Sequence, residues 1–266
     1  MLQDITNLRC LTFEQSHNSH VTEDTTVMKF VKLFGRLNSN IIGMIHVGAL
    51  PGTPLHRSAV PELVDQACRE AELYQQEGVC PVLPVGVQVL AANNQTALAV
   101  ALAAGLEFIR VEGFVFSHVA DEGLMNACAG ELLRFRKYIG AEHIQIFTDI
   151  KKKHSAHTLT ADVCITETAR AAEFFLSDGV VITGASTGVH ANPQELNEVM
   201  RSVQIPVLVG SGVTQENVDD YLQANALIVG SHFKIGGRWE NRVQADKVKR
   251  FMEKINKLRN SKPKTT

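Results

Sequence analysis

Short apolar runs recur along the chain, and most are apolar at consecutive positions. Residues 41–46 read IIGMIH, 108–113 FIRVEG, 144–150 IQIFTDI, 180–184 VVITG, 206–212 PVLVGSG and 226–231 ALIVGS. Between them the polar and apolar positions take a helical rhythm, over about 61–77, 95–104, 124–139, 162–177 and 245–258. Strands alternating with helices predict βαβ units and a parallel sheet. Strands without a polar face predict a sheet covered on both sides. Repeated along one chain, the pattern closes most simply into an α/β fold of the TIM type, a (β/α) barrel. Such barrels place their sites at the C-terminal strand ends, so the residues that end each run become the candidates.

One stretch breaks the pattern. Residues 79–90 read VCPVLPVGVQVL, with Pro81 and Pro84 where a second strand belongs. Proline cannot donate to a sheet ladder, which reduces the strand to 85–90. The count is then about seven βα units where a barrel of this type takes eight, and the shortfall falls at 79–84.

The flanks read differently. Residues 1–27 are polar and carry Glu14, Glu23 and Asp24, which predicts a disordered extension and not an acid-poor mitochondrial presequence. From Met28 the run MKFVKLFGRL sets Lys29, Lys32 and Arg36 opposite Phe30, Val31, Leu33, Phe34 and Leu37. It is expected to be a short amphipathic helix plugging the bottom of the barrel, with a targeting segment as the alternative. Residues 28–258 form the barrel domain and 259–266 a flexible tail.

Bulk chemistry narrows the partners. A net charge of -2 gives no reason to expect nucleic acid or an anionic membrane. No apolar run reaches the ~18 residues of a bilayer span. Five scattered cysteines predict reduced thiols in an intracellular protein, cytoplasmic with the mitochondrion as the alternative. Asn94-Gln95-Thr96 is a glycosylation sequon that reads as chance.

The candidate chemistry lies late in the chain. Gly184-Ala185-Ser186, Gly210-Ser211-Gly212 and Gly230-Ser231 end three successive runs. Glycine at a strand mouth admits a ligand close to the backbone, and barrels often hold phosphate after their last two strands. Gly184, Gly210, Ser211, Gly212, Gly230 and Ser231 are therefore expected to bind a phosphorylated small molecule; the plainer alternative is tight βα turns. Asp149 with Lys151 reads as a carboxylate poised by an ammonium for acid–base work. His46 ends the first strand as a ligand-facing or a structural histidine. Arg110 and Glu112, two apart, share a face. They read as a pair bracing the interior, or Glu112 as a further catalytic carboxylate. Asp149, His154 and His46 form at most a weak divalent-metal set, and no metal site or cofactor is assigned. A homo-oligomer is consistent with the fold class.

Five blocks, IIGMIHVGALPGTP, IFTDIKKKH, VVITGASTG, LVGSGVTQENV and LIVGSHFKIGGRWEN, together resemble the BtpA/SgcQ family over about residues 28–258. The resemblance implies a TIM-type barrel of the ribulose-phosphate-binding class. The name-giving members act in photosystem I biogenesis, and other relatives lie in sugar-related gene clusters. It therefore implies a fold more than a reaction. The chain departs from the family pattern after Val79, where a whole βα unit is missing, as in an alternatively spliced product. Three functions follow as alternatives: an enzyme on a phosphorylated sugar or nucleoside with lyase, isomerase or hydrolase chemistry, a non-catalytic assembly factor, or an inactive form.

Overall fold

The computed structural model describes residues 25–79, 84–184 and 188–261. Its strands are β1 (Asn40–Gly43), β2 (Gly86–Val87), β3 (Phe108–Val111), β4 (His118–Ala120), β5 (Gly123–Met125), β6 (Gln145–Ile150), β7 (Ser155–Ala156), β8 (Gly179–Ile182), β9 (Val207–Val209) and β10 (Ala226–Val229). Seven of them form one parallel sheet in the order β1-β10-β9-β8-β6-β3-β2. The first strand lies beside the last, with Asn40 opposite Ala226 and Gly43 opposite Val229. That pairing is the closure of a barrel. The sheet ends at β1 and β2, which would be separated by one strand in a complete barrel. The fold is thus a TIM-type (β/α) barrel of seven βα units, open at the seam where the second unit is missing.

Neighbouring residues explain why the strands lack a polar face. Phe108, Phe147, Val181, Leu208, Ala226 and Ile228 turn to the barrel interior and pack with Phe30 and Phe34. Their neighbours Ile109, Ile146, Val180, Ile182, Val207, Val209 and Leu227 belong to the outer core under the helices. Phe30 and Phe34 come from helix α1 (Thr26–Phe34) and meet Phe147 and Phe108 with ring centroids 5.9 and 5.8 Å apart. The α1 helix is therefore the plug. The side chain of Thr25 accepts a hydrogen bond from the amide of Met28, and Gly35 (φ 75°) ends the helix by donating its amide to the carbonyl of Val31.

The remaining helices are α2 (Val60–Gln76), α3 (Asn94–Ala104), α4 (Ala129–Tyr138), α5 (Ile165–Phe174), α6 (Pro193–Ser202) and α7 (Ala245–Ser261). Asn192 caps α6 by accepting the amide of Gln194, and Pro193 opens the first turn. The α2 helix is pinned by a buried pair, in which Lys234 Nζ donates to Glu70 Oε2 at 2.7 Å.

Several expectations shift. The helix expected over 124–139 is only α4, because β4 and β5 pair as a hairpin and β7 joins them in a three-stranded antiparallel sheet beyond the C-terminal ends of β3 and β6. Strands of two or three half-exposed residues carry no readable period. After β9 the sequence offers Thr214 as a helix cap with Asn217 three residues on, but the Thr214 hydroxyl accepts the amide of Glu216 and only a 3-10 turn, Val218–Tyr221, follows. The α7 helix continues to Ser261, into the tail expected to be flexible. Residues 1–24, 80–83, 185–187 and 262–266 lie outside the described residues, and with them most of the N-terminal extension and the Ala185-Ser186-Thr187 loop.

Candidate functional site

The C-terminal ends of β1, β3, β9 and β10 surround a cavity of about 230 Å³. His46, Gly210, Ser211, Gly212, Gly230 and Ser231 all line it, so six of the ten candidate residues meet in one place. Three cations face it, Arg110, Lys153 and Lys247, and no carboxylate is among its lining residues. A pocket with this charge imbalance favours an anion.

Each glycine has an identifiable neighbour. A Cβ at Gly210 would lie 3.0 Å from Arg110 Nη2 and 2.6 Å from Val181 Cγ1, so the absent side chain makes room for the guanidinium. At Gly230 it would lie 3.2 Å from His46 Cε1. Gly184 and Gly212 instead accommodate the backbone of Val189 and His190, which a Cβ would meet at 2.2 and 2.3 Å. Ser211 Oγ donates to the carbonyl of Val189 at 2.9 Å. Gly184 is not among the cavity-lining residues.

The charged candidates separate. Arg110 grips Asp149 in a bidentate pair, Nε to Oδ1 at 2.9 Å and Nη2 to Oδ2 at 3.0 Å, with both side chains buried. Asp149 thus stands behind Arg110, outside the cavity lining, and aims the guanidinium. Lys151 does not join it: Lys151 Nζ donates to the carbonyl of Thr160 at 2.9 Å. Arg110 and Glu112 do not pair either. Glu112 accepts from Gln88 Nε2 and the amide of Ala92, both at 3.3 Å, and lies 3.6 Å from Lys152 Nζ. The Lys151 side chain, Asp149, His118 and His157 line a separate recess beneath the small sheet, with room for about one water. His154 lies 3.8 Å from Asp121 at the surface, and among the described residues no cluster of three or more His, Cys, Asp or Glu is placed to hold a metal. Asn94 of the sequon is buried and donates to the carbonyl of Glu112 at 2.8 Å, which leaves it unsuited to glycosylation in the folded chain.

Sequence reasoning missed Lys247, His232 and Trp239. It offered Lys153 only within the basic run 151–153, as a solvated stretch or one that draws in an anionic ligand, because alternation cannot be read through a loop. Trp239, the one tryptophan, stands with its ring centroid 5.7 Å from that of His46. Burial, then Lys234 and Lys153, push His46 down to about 4, so its ring is neutral near pH 7. Burial first and Arg110 second lower Lys153. Burial also lowers His232, whose Nε2 accepts the amide of Gln215 at 3.3 Å.

The BtpA family model matches residues 80–257. A mitochondrial protein of Caenorhabditis elegans is 41% identical over 268 positions, covering 86% of this chain and 97% of the worm protein. That alignment is longer than the 266 residues of this chain, so the worm protein carries a stretch with no counterpart here. A protein of Archaeoglobus fulgidus is 29% identical over 252 positions, with 81% and 98% covered. The photosystem I biogenesis protein BtpA of Synechocystis is 33% identical over 186 positions, 68% of this chain and 63% of that one. Among solved structures, Mycobacterium tuberculosis tryptophan synthase shares 13% identity at a TM-score of 0.46, over 87% of this chain and 98% of that one. With the family model matching residues 80–257 and the Synechocystis BtpA protein 33% identical, the chain belongs to the BtpA family, its parallel sheet holding seven strands among the described residues.

Proposed function

We propose that this chain binds a phosphorylated small molecule, a sugar or nucleoside phosphate, in the cavity at the strand ends. The observation that carries the reading is a closed set of cations, Arg110, Lys153 and Lys247, around glycine-lined turns with no carboxylate among the lining residues. Arg110, aimed by Asp149, and Lys153 hold the phosphate. A neutral His46 supplies a proton acceptor, and Lys153, lowered by burial, is the group able to return a proton. The chemistry that fits is acid–base work of the lyase, isomerase or hydrolase kind. Asp149 then acts through Arg110 as a positioning residue, and Lys151 holds the Thr160 turn. The name of the worm relative supports the mitochondrion as compartment.

Calorimetry with ribose 5-phosphate, glucose 6-phosphate and AMP tests the reading. At least one ester should bind, and Lys153→Gln should weaken it about tenfold, or about 1.4 kcal/mol. Heats that stay at dilution level for every ester would sink the proposal. A second reading, a protein-assembly role, draws on the Synechocystis relative and on the edges of β1 and β2, which among the described residues have no further strand beside them. A partner protein that still binds the Lys153→Gln chain would favour it.

A further inference from the structure

Besides Arg110 and Lys153, the cavity is lined by His46, which lies against Gly230 and Trp239, and by the apolar Met44 and Ile228. His46 Nδ1 is shielded from solvent and, among the described residues, has no hydrogen-bond partner, so the ring meets a ligand in the cavity through its other edge. The ring is neutral, so an ionic partner is not what it needs; a hydroxyl, which both donates and accepts, satisfies either tautomer. Beside it stands the half-exposed indole of Trp239, outside the cavity-lining residues. Gly236 and Gly237, at φ of 65° and 72°, shape the loop that presents this ring, and Gly237 itself lines the cavity.

Resting on the anion-site reading above, we propose that the site selects a phosphorylated sugar, with a ring hydroxyl on His46 and the C–H face of the sugar against Trp239. His46 and Trp239 are then specificity residues, and phosphate binding alone does not need Trp239.

Trp239 is the one tryptophan, so its emission reports on the surroundings of His46 while calorimetry reports total binding. The full chain is titrated with inorganic phosphate, ribose 5-phosphate, glucose 6-phosphate and AMP. Ribose 5-phosphate or glucose 6-phosphate should bind at least tenfold more tightly than inorganic phosphate and change the emission, and inorganic phosphate should leave it unchanged. Trp239→Phe should bring sugar-phosphate affinity down towards that of inorganic phosphate and spare inorganic phosphate itself, and His46→Gln should weaken sugar-phosphate binding. Both variants alter partly exposed side chains, and a thermal melt of each shows that it folds. Sugar phosphates that bind no better than inorganic phosphate, a Trp239→Phe chain that keeps the ratio, or a His46→Gln chain that keeps the sugar-phosphate affinity overturns this inference and leaves the anion site standing. AMP binding tighter than either sugar phosphate, with quenching, overturns the sugar assignment. No binding of any phosphate overturns the anion site and the inference together.

Discussion

His46 shows how much one residue's surroundings decide. At the end of an apolar run it could face a ligand or be structural. The fold brings Gly230 and Trp239 against it, and burial with Lys234 and Lys153 holds its pKa near 4. In the unfolded chain a histidine titrates near 6.5. Between these values the unfolded chain takes up a proton that the folded one refuses, so acid favours unfolding through this group. Its contribution is complete above about pH 6.5 and fades as pH falls towards 4. Melting midpoints over that range should drop more for the native chain than for His46→Gln; parallel curves would refute the assignment. Asp149 makes the complementary case. Its pairing with Arg110 is buried on both sides, so Asp149→Ala leaves a guanidinium without its partner. Urea unfolding should register a loss of about 3–5 kcal/mol, and a change below about 1 would mean that water replaces the carboxylate.

At the scale of elements, two contacts decide how the open barrel is held. The α1 helix closes the bottom through Phe30, fully buried among Phe34 and Phe147. Phe30→Ala should cost about 3–5 kcal/mol in chemical denaturation, the usual range for emptying an aromatic core site. A cost near zero would mean that the helix does not stay docked. The α2 helix is held by Glu70 and Lys234, and Tyr74 lies over Gly43 and donates to the carbonyl of Met44 at 3.1 Å. Glu70→Leu alone strands a buried ammonium and should destabilise by about 3–5 kcal/mol. Glu70→Leu with Lys234→Met removes both charges and should recover most of that. A double variant as weak as the single one would show that the pair does more than neutralise itself. The helices were legible from their periodicity and caps to within a few residues. The β4-β5-β7 sheet was not, because its strands are too short for any local pattern and β7 reaches β4 from beyond α4 and β6.

At the scale of the molecule, the seam between β1 and β2 dominates. The amides of Asn40 and Met44 turn to the β10 side, donating to the carbonyls of Asn225 and Val229. Alternation then points the intervening amides of Ile41 and Gly43 at the seam. Exposed apolar residues follow β1 and flank β2 in the chain: Leu50, Leu55, Val60 and Val64 after the first, Val85 and Leu90 around the second. Open strand edges with apolar borders invite association. Light scattering should show this chain self-associating, and the chain with the worm relative's additional stretch inserted after Val79 should be monodisperse with a higher melting midpoint. Equal midpoints and equal sizes would mean that the open form is self-sufficient.

The amino-acid order alone determined the alternation of strands and helices, the missing unit and the strand ends at which a site would form. These are local or additive features: period, proline placement, and the count of βα repeats. It also brought out His46, Asp149 and the late glycines. Tertiary structure decided their partners. Asp149 meets Arg110 and not Lys151, and Glu112 meets Gln88 and Lys152 and not Arg110. Lys153, from within a basic run, joins Arg110 in the cavity. Such choices depend on which side chains of neighbouring strands and loops converge in space, and on how far burial strips water from each. No spacing along one chain encodes either quantity.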